Sequence, residues 1–159
     1  MRTRSIDRVA VLALAAVIVI LDQSSKIWMN SLLSGGQTRN AIAGVLDFQL
    51  VHNTGAAFSL FKGSTIPLAL LSLTVSVVVI IWLWRKRRLP AWQALSVAFL
   101  LGGTIGNGLD RWRLGHVIDF LALVPIRFPV FNIADIAINL AVICFLFDLL
   151  TNRESKRSG

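Results

Sequence analysis

Four apolar runs set the terms for how this chain can fold. Residues 9–28, 66–84, 91–109 and 131–150 each approach the roughly 20 residues that a helix needs to cross a bilayer. Inside lipid every backbone N–H and C=O must find its partner within the protein, and a helix does this by itself. Composition agrees. The chain is 55% hydrophobic and 15% charged, where soluble domains average about 25% charged, and its mean hydropathy is +0.71. The expected fold is a membrane all-α protein, a four-transmembrane-helix bundle, with residues 1–159 forming one integral domain.

Charge fixes the orientation. The net charge is +8, which in a soluble chain would suggest nucleic acid. Here ten of the 16 basic residues fall in three clusters: Arg2, Arg4 and Arg8; Arg85 to Arg88; and Arg153, Lys156 and Arg157. Four spans place all three clusters on one side, and the positive-inside rule makes that side the cytoplasm, with both termini there. No nucleic-acid motif is present. The first run imitates a secretory signal peptide, with its basic start and short apolar core. It continues without a break through Asp22-Gln23-Ser24-Ser25-Lys26 to Trp28, so an uncleaved first helix is expected. Trp28, Trp82, Trp84, Trp92 and Trp112 lie near span ends, as an interfacial belt requires. The single cysteine, Cys144, reads as a packing residue.

Residues 29–64 are too polar and turn-rich to span. Ser34-Gly35-Gly36 reads as a turn, and residues 44–51 alternate as a strand does. This segment is expected to form a small β-structure lying on the outer face of the bilayer. Its Gly55-Ala56-Ala57 could accept an extended peptide by strand addition.

The polar residues of the helices converge on one layer. At about 1.5 Å of rise per residue, Asp22, Asn107 and Asp135 lie roughly 21, 26 and 27 Å above the basic edge. Asp119 and the Asn53 loop reach that layer from the outer side. Asp22 and Lys26 are spaced i, i+4; Asn107, Asp110 and Arg111 are i, i+3, i+4; Asn132, Asp135 and Asn139 are i, i+3, i+7. Each set occupies one helix face. Gly102 and Gly106 form a small-xxx-small pair suited to close helix contact.

Residues 116–139 hold two acids, Asp119 and Asp135, in apolar surroundings. Ionisable groups beside lipid are expensive and mark function by default. Two carboxyls sharing one proton can activate water and polarise a peptide carbonyl, since like charges at close range push one pKa up. Separate interface roles would explain one such acid; two at one depth, with asparagines beside them, point to an aspartic peptidase. Asp22 and Lys26 read as a structural ion pair. Ser24 and Ser25 next to Lys26 raise a Ser–Lys mechanism, but adjacent residues on a helix do not face each other. Asp110 reads as a cap for its helix end, and Arg111 as a clamp for backbone carbonyls or an anchor for lipid phosphate. His52 and His116 read as solvated loop histidines. Neither HExxH nor GxSxG occurs, so neither a zinc nor a serine hydrolase is indicated, and no metal or other cofactor is expected.

The motifs Asp22-Gln23-Ser24-Ser25-Lys26, Asn53-Thr54-Gly55-Ala56-Ala57-Phe58, Gly106-Asn107-Gly108-Leu109-Asp110-Arg111, His116-Val117-Ile118-Asp119-Phe120 and Phe131-Asn132-Ile133-Ala134-Asp135 resemble, in content and order, those of bacterial lipoprotein signal peptidase (signal peptidase II). The resemblance covers nearly the whole chain. It implies an aspartic endopeptidase of the bacterial inner membrane that cuts diacylglyceryl-modified prolipoproteins just before the lipidated cysteine. Asp119 and Asp135 match its catalytic pair. Asp22, Lys26, Asn53, Gly55, Asn107, Arg111 and Asn132 match residues that line or support its site. An extracytoplasmic β-cradle and half-helix would correspond to residues 29–64, and inhibition by globomycin-type compounds would follow. Gly108 departs from the bulkier apolar residue usual in the family, which is expected to loosen the end of the third helix.

Two readings from other classes compete. A transporter could use the same acids as a proton relay, but it needs polar residues continuing toward the cytoplasm, where the spans are apolar. A lipid-binding scaffold would depend on Lys26 and Arg111 and not on the two acids.

Overall fold

The computed structural model describes residues 5–55 and 63–157, with side chains through residue 151. The chain runs as β1 (Ser5–Asp7), α1 (Arg8–Leu33), β2 (Arg39–Ile42), β3 (Leu46–Asn53), α2 (Thr65–Trp84), β4 (Arg88–Pro90), α3 (Ala91–Leu114), β5 (Val117–Leu123) and α4 (Ile133–Arg157). Among the described residues three helices, α1, α2 and α4, are long and apolar enough to cross a membrane. The strands form two small antiparallel sheets, β1–β4 and β2–β3–β5. Residues 56–62, which include Ala56 and Ala57 and part of the 29–64 segment expected to hold the β-cradle and half-helix, lie outside the described residues.

Helix ends follow local chemistry. Asp7 caps α1, its carboxylate accepting from Val9 N at 2.8 Å, which satisfies one of the free N–H groups of a first turn. Gly115, at φ +76°, closes α3 in the left-handed conformation and donates to Arg111 O, an ending that glycine adopts without steric cost. α1 and α3 outrun their expected bounds. α1 reaches Leu33 instead of 28, and at 26 residues is about 39 Å long, more than the hydrocarbon core requires. α3 continues to Leu114 instead of ending at 109.

α3, which is not among those three apolar helices, is the most enclosed. It packs on α1, α2 and α4 through Gly102, Gly103, Thr104, Gly106, Asn107 and Gly108. Side chains there would exclude its neighbours. A Cβ at Gly102 would lie 2.7 Å from Ile18, one at Gly103 only 2.5 Å from Ala134 O, and one at Gly106 2.6 Å from the Asp22 carboxylate. Gly108 does not loosen the helix, because a Cβ there would already sit 3.1 Å from Ser72 of α2; the glycine lets α2 come close.

At the basic end, β1 pairs with β4, and Arg8 donates to Trp84 O at 2.8 Å. The N-terminal segment and the 85–90 loop therefore share one face of the bundle. Val11, Leu83, Leu89, Ala94 and Ala98 form an apolar core just above it. At the other end Met29, Leu33, Ile118 and Phe120 form a second core, joining the end of α1 to the sheet. The strand expected near 44–51 is β3. Two partners for it were unforeseen: β2, and β5 from the apolar segment that carries Asp119.

Gly103→Ala should lower stability by about 1–3 kcal/mol, the usual cost of overpacking, because its new methyl meets a backbone carbonyl. Gly35→Ala, with nothing within 4 Å, should be neutral. Thermal unfolding of the two variants in detergent compares them directly.

Candidate active site

The site is assembled where α4 begins. Asn132 precedes the helix and Asp135 sits in its first turn. The Asn132 carbonyl oxygen Oδ1 accepts from Asp135 N at 3.0 Å, and Asn132 N donates to Asp135 Oδ2 at 3.1 Å. This reciprocal capping box satisfies two helix-end donors and locks the acid's rotamer. It also corrects the expected span, since α4 begins at Ile133 and Asn132 stands outside it. The positive end of the helix dipole suits the carboxylate there.

Asp119 comes from β5. The register sets Val51 opposite Asp119 and Asn53 opposite Val117, so the end of β3 lies beside the acid. Asn53 Nδ2 donates to Asp119 Oδ2 at 3.0 Å, and Asn132 Nδ2 to Asp119 Oδ1 at 2.7 Å. Asn132 thus holds both acids, Asp119 by its side chain and Asp135 by its backbone. Both line one cavity of about 960 Å³, together with Asn53, Asn107 and Arg111. Asp119 is 2% exposed. Burial, with the nearby charge of Asp135 adding to it, pushes its carboxyl up to about 6.

Behind the pair lies a buried ionic cluster. Lys26, 1% exposed, reaches Asp22 Oδ2, Asp110 Oδ2 and Asn107 Oδ1, each at 2.9 Å. Three partners use all three ammonium protons. Asn107 Oδ1 also accepts from Asn132 Nδ2 at 3.0 Å. With its oxygen so engaged, the Asn107 amide must turn its nitrogen outward, and Nδ2 donates to Asp135 Oδ1 at 2.8 Å. Asp22 Oδ1 accepts from Ala134 N at 2.9 Å, pinning α1 to the start of α4. The shared layer expected for Asp22, Asn107 and Asp135 is thereby realised in direct and one-step contacts.

Asp22 and Lys26 pair as expected. Asp110 does not cap its helix; its Oδ2 holds Lys26 and accepts from Ile118 N at 3.1 Å. Arg111 is a carbonyl clamp, donating to Gly55 O at 3.1 Å and, at a long 3.5 Å, to Asn107 O. Gly55 N in turn donates to Asn53 Oδ1 at 2.9 Å, which fixes the chain leaving β3. His52 and His116 are not loop residues apart: His52 lies on β3, its ring 4.4 Å from that of His116. Burial first, and His52 second, lower the His116 pKa. Gln23 was missed. Its Nε2 contacts Asp22 Oδ2, Gly106 O and Asp110 Oδ1 at 3.2, 3.1 and 3.0 Å. A polar amide next to an intramembrane acid was the available signal.

Lys26→Met should strand two buried carboxylates and cost about 3–5 kcal/mol, read as a fall in thermal stability and loss of function together. Asp135→Asn removes a negative charge beside Asp119. Asp119 should then titrate below its value of about 6 yet above the ordinary 3.8, since burial remains. Infrared difference spectroscopy of the protonated carboxyl band checks this, and an unchanged midpoint would show that the two acids do not interact.

The signal peptidase (SPase) II family model matches residues 14–151. A lipoprotein signal peptidase of Parasynechococcus marenigrum is 59% identical over 152 residues, covering 96% of each chain. One from Enterococcus faecalis is 37% identical over 146 residues, covering 92% of this chain and 91% of its own. A solved bacterial membrane enzyme has the same fold, with a TM-score of 0.81 at 24% identity over 92% of this chain and 91% of that one. With its apolar helices and the polar layer between them, this multi-pass membrane chain belongs to the signal peptidase II family of aspartic peptidases.

Proposed function

We propose that the chain is an endopeptidase that removes the signal peptide of diacylglyceryl-modified prolipoproteins just before the lipidated cysteine, with Asp119 and Asp135 as its catalytic pair. The observation that carries this reading is the joint hold of Asn132 on both acids at the wall of one large cavity. α3 is taken as the fourth span, buried among the other three, and the β2–β3–β5 sheet as the extracytoplasmic cradle. The pairing of β1 with β4 supports a common cytoplasmic face for the N-terminus and the 85–90 loop, by the positive-inside rule. The enzyme would then lie in the bacterial inner membrane.

In the reaction, Asp135 is the base and Asp119 carries the shared proton. Both Asp135 oxygens receive N–H donors at a helix N-terminus, a setting that favours negative charge; Asp119 resists ionisation through burial. A water loses a proton to Asp135 as its oxygen attacks the scissile carbonyl carbon. Asp119 gives its proton to the carbonyl oxygen, leaving a tetrahedral diol. When the C–N bond breaks, Asp135 returns its proton to the departing amine and one diol hydroxyl reprotonates Asp119. The lipid chains of the substrate supply binding energy away from the reacting bond and hold that bond in place.

Lys26, Asp22 and Asp110 act at a distance, fixing Asn107 and the start of α4. Asn53, Gly55 and Arg111 tie the end of β3 to the cavity wall, where a peptide or a globomycin-type inhibitor would lie. The apolar core of Val11, Leu83, Leu89, Ala94 and Ala98 between the site and the basic end favours a peptidase over a proton relay.

Asp119→Asn and Asp135→Asn should each lower cleavage of a lipidated precursor by about a thousandfold or more, with the fold retained. Gel-shift cleavage in detergent, with unlipidated precursor as control, measures this; full activity in either variant would reject the pair.

A further inference from the structure

Two imidazoles meet at the rim of the catalytic cavity, and the hydrolytic steps proposed above do not use them. The β3–β5 register sets His52 opposite Ile118, and His116 stands just ahead of β5, a diagonal neighbour of His52. Diagonal positions across an antiparallel pair are within reach of long and aromatic side chains. The ring centroids are 4.4 Å apart, with the planes tilted by 43°. His52 is exposed and His116 half-buried, so the pair is open to water. His52 contributes to the cavity wall, and His116 stands outside it.

The separation is close to what one shared ion requires. With metal–nitrogen bonds of about 2.0–2.1 Å, each ring centroid lies about 3.2 Å from the ion. Two rings bound at right angles then have centroids about 4.5 Å apart, and two at a tetrahedral angle about 5.2 Å apart. A shift of about 1 Å or less reaches either geometry. Two imidazolium ions at this distance would repel each other, which favours the neutral rings, and neutral imidazole is the commonest metal ligand.

We propose that His52 and His116 form a two-histidine site for a divalent transition-metal ion, with water completing the coordination, and that the ion staples the end of β3 to the start of β5. The donors select the class: imidazole suits zinc, copper and nickel, whereas magnesium and calcium take oxygen ligands. Among the described residues no group of three or more His, Cys, Asp or Glu side chains is placed to hold a metal, so the chain supplies two ligands and the ion is exchangeable. Asp110, the acid whose charge reaches His116, is already held by Lys26, Gln23 and Ile118 N. The proposal goes beyond the peptidase reading and does not depend on it, because the ion is assigned no part in hydrolysis.

The consequence is local. His52 precedes Asn53, which donates to Asp119 Oδ2 and accepts from Gly55 N. His116 follows Gly115, the left-handed residue that ends α3. A bound ion therefore ties the chain leaving β3 to the α3–β5 corner and stiffens one edge of the cavity.

The test uses the full chain, free of any polyhistidine tag, in detergent near neutral pH, with zinc(II) as the probe. Isothermal titration should give one zinc per chain, and His52→Gln and His116→Gln should each weaken it by about tenfold or more. Saturating zinc should raise the melting temperature of the parent by several degrees, through binding to the folded state alone, and leave both variants unmoved. Undiminished zinc affinity in either variant would place the ion elsewhere, such as on the two acids of the cavity, and overturn the proposal. Equal stabilisation by magnesium would point to an oxygen site and overturn it too. A second measurement needs no variant: electron paramagnetic resonance of the parent with one equivalent of copper(II) should show two equatorial nitrogens. Fewer than two would mean that the rings do not converge on one ion, and would also overturn the proposal.

Discussion

A buried ammonium with three acceptors holds this molecule together. Lys26 contacts Asp22 on its own helix and both Asp110 and Asn107 on α3. An unpaired charge at this depth would be very costly, so each partner is obligatory once the lysine is enclosed. Further donors serve the acceptor oxygens of this cluster: the Gln23 amide, Ile118 N and Ala134 N. Two of those donors lie at the starts of β5 and α4, the elements that carry Asp119 and Asp135. Fixing the lysine therefore fixes the positions from which both acids project.

The same network sets amide orientation, which matters more than proximity. Asn107 could point either end of its amide at Asp135. With Lys26 and Asn132 both donating to its oxygen, only the nitrogen is free to face the acid. Asn132 is constrained likewise, with its oxygen on Asp135 N and its nitrogen on Asp119 and Asn107. Each carboxylate thus meets donors, and the two acids remain distinguishable: one at a helix N-terminus, the other on a strand and deeply buried. The glycines of α3 are the steric counterpart. They bring α1 and α4 close enough for hydrogen bonds of about 3 Å, at the expense of the apolar character that would otherwise mark α3 as a span.

Much of this was legible in the chain. The apolar runs located α1, α2 and α4 to within a few residues, and helical spacing placed Asp22 with Lys26. Rise per residue put Asp22, Asn107 and Asp135 at one depth. What escaped was set by contacts between segments distant in sequence. Asp110 read as a local cap because its real partners, Lys26 and Ile118, lie on another helix and past a turn. β5 escaped because a short apolar stretch carries no strand signal of its own and becomes a strand only beside β3. His52 and His116 are 64 positions apart and meet through that same pairing.

By itself, then, the sequence determined a membrane protein, where its long apolar helices fall and which polar residues share a level along them, because hydropathy and helical periodicity are local and survive without knowledge of neighbours. Only the tertiary structure decided the hydrogen-bond direction of each amide, the second partner of Lys26, the register that sets Asn53 beside Asp119 and the meeting of His52 with His116. Those depend on which surfaces meet and at what rotation, and one residue's slip in a strand would turn every side chain to the opposite face.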